Sequence, residues 1–452
     1  MQARYLIAGV VIVIVAVTGV LIYQGNRTDS GASGDVTVTQ TSYVPGTGTS
    51  TGSLPGTSGG DPTSGRPGTT SHSGSPSPST KSGDGTANGT GSSGTPGGSS
   101  TAGPSGPTTS TGTRDDGRPA SNVPMTKLKP GEKAPQFVIF SFDGAGSHEK
   151  WHLFMDAAEP TDSRFTGFLS GIYLVETANK DAYTGPGHSA GKASIGFGGT
   201  KEEIVTEVED LNLAYSRGHE IGTHYNGHFC VGADPSGDAW STANWNSELD
   251  QFFGFVKNWK EINGYGSDVP DLTVPASAIK GGRTPCLEGD LDKMIPAWKK
   301  HGMTYDSSKN LYSGIAWPQQ IQGIWEFPMP YVYSPGFKSM VMAMDYNFWV
   351  KFNGGKEQPE TAPQLRSIVR QTYDYMYDQA YHGNRAPVLI ANHFNNWNGD
   401  SFNQPALEFM KETCGKPDTY CTTYQDVIAW MELQDPAVLA ALQNQPAVAT
   451  GP

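Results

Sequence analysis

A parallel α/β barrel is the fold class this sequence predicts for residues 126–434, and three observations predict it. Short apolar strands alternate with amphipathic helices through roughly 310 residues, long enough to bury one large core. Asp143, His224, Arg283, Asp306 and His393 each fall at or just past the C-terminal end of a candidate strand. Chemical groups collected from the ends of several strands mark a barrel, whereas a single crevice at a switch point draws on fewer. No glycine-rich dinucleotide or phosphate loop opens any strand–helix unit.

The elements follow in order. Gln136 to Phe142 is a short apolar run ending in Asp-Gly, a buried strand entering a turn. Phe165 to Val175 reads as a second strand. Glu202 to Arg217 has apolar residues at helical spacing and stops at Gly218. A short strand, His219 to Gly222, precedes a helix from Ser247 to Ile262 and a strand from Ala276 to Lys280. The helix from Gly289 to His301 stops at Gly302 and leads into Met303-Thr304-Tyr305-Asp306. Strands are expected at Ile324 to Met329 and Met340 to Asn347, then a long helix, Ala362 to Tyr381, and the strand Pro387 to Ala391. Helices near Gln404 to Glu412 and Gln425 to Leu433 close the domain, leaving residues 435–452 as a flexible tail.

What precedes the domain has a different character. Tyr5 to Tyr23 is apolar without an internal charge and follows Arg4. That is nearly the length needed to cross a bilayer as a helix, and Val20-Leu21-Ile22-Tyr23 is a poor cleavage site. Residues 1–25 thus read as a transmembrane anchor, with a cleaved signal sequence as the alternative. Either places the domain outside the cytoplasm, held at the cell membrane by one span or secreted. Residues 26–125 are almost wholly Ser, Thr, Gly, Pro and small polar residues, too poor in apolar surface to offset the entropy of ordering. They read as a disordered tether spanning on the order of 50–60 Å.

Six basic and six acidic residues precede Lys127, so the formal net charge of −13 belongs to the domain. An acidic domain suits a phosphate backbone badly, which argues against nucleic acid as a partner. In an oxidising compartment the four cysteines are expected as two disulfides. Cys414 and Cys421 flank the turn-like Gly415-Lys416-Pro417 and leave Cys230 with Cys286.

The sharpest local signal is Gly218-His219-Glu220-Ile221-Gly222-Thr223-His224-Tyr225-Asn226-Gly227-His228. Histidines four apart on a tight turn can both reach one ion; a plain polar loop is the bland reading of the same residues. Asp143 could equally cap a turn before Gly144. Arg283 could be a structural ion-pair partner, and His393 a hydrogen-bonded core histidine.

Taken together, these motifs resemble something specific. Phe142-Asp143-Gly144, His224…His228, Arg283-x-Pro285, Tyr305-Asp306-Ser307-Ser308 and Leu389…His393 resemble, in order, the five motifs of the polysaccharide deacetylases (carbohydrate esterase family 4). The resemblance spans Gln136 to Trp430. It implies a distorted (β/α) barrel holding a divalent metal ion, Zn2+ in the first instance. It implies Asp143 as base, His224 and His228 as metal ligands, Arg283 orienting the base, and His393 as acid. The family has two successive aspartates in its first motif, and here Gly144 stands in the second position. The third protein ligand would then be Asp143 itself or His148 on the same loop, unless water completes the shell.

The chemistry so implied is removal of acetyl groups, N-acetyl above all, from a cell-wall or extracellular polysaccharide such as peptidoglycan or a chitin-like chain. His393 would need a carboxylate neighbour to stay cationic, and Asp306, Asp345 and, more weakly, Glu326 are the candidates. Trp325, Trp349 and Trp397 could stack on sugar rings, though tryptophans are more often core. The competing function is a catalytically inactive carbohydrate-binding domain that kept the fold and lost its metal with the missing aspartate; a structural wall protein is a third.

Overall fold

The computed structural model describes residues 112–311 and 313–452. The anchor and most of the tether expected from the sequence lie outside these residues. Among the described residues no helix is long and apolar enough to cross a membrane.

Among the described residues twelve strands form: β1 (Gln136–Asp143), β2 (Thr166–Leu169), β3 (Glu220–Thr223), β4 (Gly281–Gly282), β5 (Tyr305–Asp306), β6 (Asn310–Leu311), β7 (Gln319–Ile321), β8 (Ile324–Glu326), β9 (Met329–Ser334), β10 (Ser339–Met342), β11 (Val388–His393) and β12 (Thr419–Cys421). The helices are α1 (His148–Ala158), α2 (Lys201–Ser216), α3 (Thr242–Asn263), α4 (Leu291–Lys300), α5 (Asp345–Asn353), α6 (Ala362–His382), α7 (Trp397–Asp400), α8 (Asn403–Thr413), α9 (Tyr424–Leu433) and α10 (Pro436–Gln443).

The main sheet runs β11-β1-β2-β3-β4-β5-β8-β7, parallel up to the hairpin that β7 makes with β8. β1 is buried at all eight positions, as a central parallel strand must be. It shares one edge between β12, at Gln136–Val138, and β2, at Ser141–Asp143. The expected barrel is not closed by pairing of its end strands among the described residues. Met344 instead makes a parallel bridge to Ala391 of β11, and a second sheet, β10-β9-β6, continues from there. The main sheet still curls: Arg283, just past β4, bonds across to Asp143 and Ser141 of β1. Phe142, Phe154 and Phe394 fill the space behind the strand ends, with centroids 4.3 and 4.6 Å from Phe142.

Several expected elements move. β2 ends at Leu169 because the chain turns at Ser170 into a 3₁₀ segment, Gly171–Leu174. The strand expected at Ala276 to Lys280 is displaced to Gly281–Gly282. A Cβ on Gly281 would lie 2.4 Å from the Tyr305 ring and one on Gly282 2.1 Å from the Thr223 carbonyl, so only glycine allows the three backbones this approach. Met340 to Asn347 divides into β10 and the start of α5. The domain also exceeds its expected limits. Arg118 is buried against Asp116 and Gln425. The tail expected to be flexible forms α10, then pairs Val448 with Ile315 and buries Ala449.

Candidate active site

The turn after β3 carries the histidine pair. Tyr225 and His228 both adopt left-handed backbone, with φ of 56° and 53°, which non-glycine residues hold only where the surroundings fix them. Here they do. Buried Glu248 of α3 accepts the backbone N–H groups of Asn226 and Gly227 at 3.0 and 3.1 Å, and its own carbonyl accepts Asn226 Nδ2 at 2.8 Å. Trp298 Nε1 donates to the Tyr225 hydroxyl at 2.7 Å. Cys230, two residues on, is bonded to Cys286 on the loop after Arg283, tying the two loops together, and Cys414 is bonded to Cys421.

Both imidazoles are buried, and burial above all holds each pKa down at about 3, with neighbouring histidines adding to it. Both are therefore neutral near pH 7. His224 Nδ1 lies 2.9 Å from the Arg283 carbonyl, a bond it can make only as donor, so its Nε2 carries a lone pair. That Nε2 is buried and has no hydrogen-bond partner. His224 lines a small pocket together with Gly144, Ser170, Tyr173, His228 and His393.

Asp143 ends β1 and is 1% exposed. Its Oδ1 accepts Arg283 Nη1 at 2.8 Å. The guanidinium is held in turn by the Ser307 carbonyl at 2.9 Å, Ser307 Oγ at 3.0 Å, Ser141 Oγ at 3.1 Å and the Tyr424 hydroxyl at 2.9 Å. Burial, the largest influence on Arg283, favours its neutral form, but Asp143 and Tyr424 outweigh it and the pKa ends raised.

His393 ends β11. Its Nδ1 lies 2.9 Å from Asp345 Oδ1, and its backbone N–H donates to Asp345 Oδ2 at 2.7 Å. Asp345 is the first residue of α5, so the helix dipole adds to the stabilisation of its carboxylate. Burial, again the largest influence, works against the charged imidazolium, but Asp345 and then Asp143 outweigh it, and the pKa of His393 is raised. The ring of half-buried Trp397 lies 4.9 Å from His393 and stacks on Trp349 at 5.4 Å.

Of the three carboxylates considered beside His393, the structure brings up Asp345 alone. Asp306 instead accepts the Ser308 amide and hydroxyl at 2.8 and 2.7 Å, and Glu326 accepts the Lys309 amide. His148 also lies elsewhere: α1 begins at this residue and turns its ring to Asp210, 2.9 Å away on α2. Trp325 is buried, its indole donating to Glu432. Asp143, Arg283, His224, His228 and His393 do converge.

Two residues of the site had usable signals in the sequence. Ser170 follows β2 at the strand-end position that the other site residues share, and its buried Oγ has no partner. Glu248 is a charged residue on an apolar helix face between Trp245 and Phe252. Tyr173 had none, since it lies inside what reads as a continuing strand. Its hydroxyl stands 3.3 Å from where a Cβ on Gly144 would be.

Two neutral imidazoles, one with an unpartnered buried lone pair, fit a divalent cation as two of its ligands. No carboxylate joins them as a third ligand: among the described residues, the clusters of three or more His, Cys, Asp or Glu ligand atoms are His228 with Cys230 and Cys286, and His148 with His152 and Asp210. The first of these has its sulfurs bonded to each other.

No protein-family model matches the sequence, and no curated protein matches it. Solved structures similar to the chain include a putative polysaccharide deacetylase from Mycobacterium smegmatis, at 15% identity and a TM-score of 0.40, covering 73% of this chain and 99% of that one. A family 4 carbohydrate esterase from Streptomyces lividans in complex with acetate is similar at 11% identity and a TM-score of 0.31, covering 63% of this chain and 91% of that one. A CE4 family pseudoenzyme from Bacillus anthracis is similar at 9% identity and a TM-score of 0.32, covering 70% of each chain.

Proposed function

We propose that the chain is a hydrolase of the polysaccharide deacetylase type, removing acetyl groups from amino sugars of an extracellular or cell-wall polymer. The observation that carries this reading is the state of His224, a residue lining the pocket: its donor nitrogen is spent on the Arg283 carbonyl while its buried Nε2 has no hydrogen-bond partner.

In this reading His224 and His228 hold a divalent cation, Zn2+ by its ligand preference, which supplies Lewis-acid activation of water and of the acetyl carbonyl when bound. The chain's own residues do the rest. Asp143, fixed by Arg283, takes the proton of the attacking water. His393, kept cationic by Asp345, gives its proton to the departing sugar amine. Trp397, beside His393, offers an aromatic face to a sugar ring. The acidic charge of the domain suits a glycan better than a phosphate-bearing polymer.

One observation favours a second reading. Gly144 offers no carboxylate and the Tyr173 hydroxyl occupies that corner, as an inactive sugar-binding descendant would allow. Metal analysis of the full chain separates the two. The hydrolase reading expects the parent to retain one divalent ion per chain more than His224→Ala with His228→Ala. A parent chain that retains none after equilibration with Zn2+ supports the binding domain instead.

A further inference from the structure

The two histidines that open α1 are not used by the chemistry above, yet they are built into a cluster of their own. His148 and His152 are one helical turn apart, so their rings lie on the same side of α1, with centroids 4.5 Å apart. Both converge on a single carboxylate oxygen across the helix interface. Asp210 Oδ1 lies 2.9 Å from His148 Nδ1 and 3.1 Å from His152 Nε2. The second Asp210 oxygen also lies 2.9 Å from His148 Nδ1. Asp210 is buried at 3% side-chain exposure, while the imidazoles reach solvent at 62% and 41%.

Two imidazole nitrogens and one carboxylate are a common donor set for a borderline cation of the zinc class. In a tetrahedral shell with bonds of about 2.0–2.1 Å, neighbouring ligand atoms stand about 3.3 Å apart. The separations of Asp210 from the two rings come within a few tenths of an ångström of that edge, so an ion could enter by small rotations of exposed rings. The exposed side leaves a fourth position for water. We propose that His148, His152 and Asp210 form a second, peripheral binding site for a divalent transition-metal cation. Such an ion clamps the first turn of α1 to α2, four residues after Gly144, and so steadies the loop that leaves Asp143.

The test uses the full chain carrying His224→Ala and His228→Ala, which removes the central pair and makes the outcome independent of the function proposed above. After stripping with chelator, calorimetric titration with Zn2+ should show one ion per chain and a Zn2+-dependent rise in melting temperature. Adding His152→Gln keeps a donor to Asp210 but removes the imidazole. It should weaken binding at least tenfold and abolish the rise, while the metal-free melting temperature stays put. No saturable binding, or unchanged binding in His152→Gln, overturns the proposal. Should the double variant not fold, the same comparison is made by counting Zn2+ per chain, where His148→Gln with His152→Gln must lower the parent's count by one.

Discussion

Asp143 and His393 are register partners at the ends of two adjacent parallel strands, β1 and β11. Neighbouring strands lie about 4.8 Å apart, and paired residues send their side chains to the same face. The proposed base and acid therefore stand next to each other on one face of the sheet because of strand pairing alone. Each has a separate buried partner: Arg283 pairs with the aspartate and Asp345 with the histidine. One strand pair thus keeps the two groups side by side, each with its own buried partner of opposite kind.

Asp345→Asn should expose how far His393 depends on its carboxylate. The folded pKa of His393 lies above its ordinary value, so the stability this pair contributes is complete below that ordinary value. It is lost as pH rises through the raised one. An acid catalyst follows the same sense, with turnover falling on the alkaline side. The variant should shift that alkaline limb to lower pH and lower kcat by about 10²-fold near neutrality, less at acid pH. A pH–rate profile measures it.

Glu248 should separate support from chemistry. Burial above all, against four stabilising hydrogen bonds, raises its pKa to about 7. The native state then binds more protons than the unfolded chain between the ordinary glutamate value and about 7, and stability falls with rising pH across that window. Glu248→Gln retains an acceptor for the Asn226 and Gly227 amides, so it should flatten this dependence and keep the bound metal. Glu248→Ala leaves both amides unpaired and should lose metal. Denaturation at pH 5 and 7.5, with metal analysis, checks both.

Gly144→Asp should not simply restore a ligand. Its φ of 59° costs a side chain about 1 kcal/mol or more, and the Tyr173 hydroxyl stands 3.3 Å from the new Cβ. Alone it should change Zn2+ affinity less than threefold. With Tyr173→Phe, which clears the oxygen, affinity should rise at least tenfold by calorimetry.

Much of this site was legible in the sequence because it sits where apolar strands stop. Asp143 and His393 follow such runs, and His224 and His228 announce themselves by spacing. Arg283 stood out by its Gly-Gly-Arg context, although the strand before it was misplaced, since two glycines read as a break and not as the close packing they allow. His148 went to the wrong partner because loop proximity in sequence says nothing of the helix that starts there. Choosing Asp345 over Asp306 required knowing that Met344 pairs with Ala391, a contact between segments too short to show a pattern. The ordered C-terminal tail was missed for a related reason: Val448 and Ala449 are held by distant partners, not by any local periodicity.

Cys230→Ser with Cys286→Ser should loosen two loops at once. Closing a loop over a separation of 56 residues restrains the unfolded chain, and the loss should cost about 2–4 kcal/mol in denaturant unfolding. The weakened hold on His228 should also lower metal retention, whereas Cys414→Ser with Cys421→Ser should leave retention unchanged.

The hydrolase function stands or falls on acetate release from N-acetylated glycan oligomers by the full chain with Zn2+, compared with Asp143→Asn. The parent should release acetate, and the variant should lose at least about 10³-fold while its fold and melting temperature are kept. No acetate from the parent on either chitin-like or peptidoglycan oligomers, or equal release by Asp143→Asn, would contradict it.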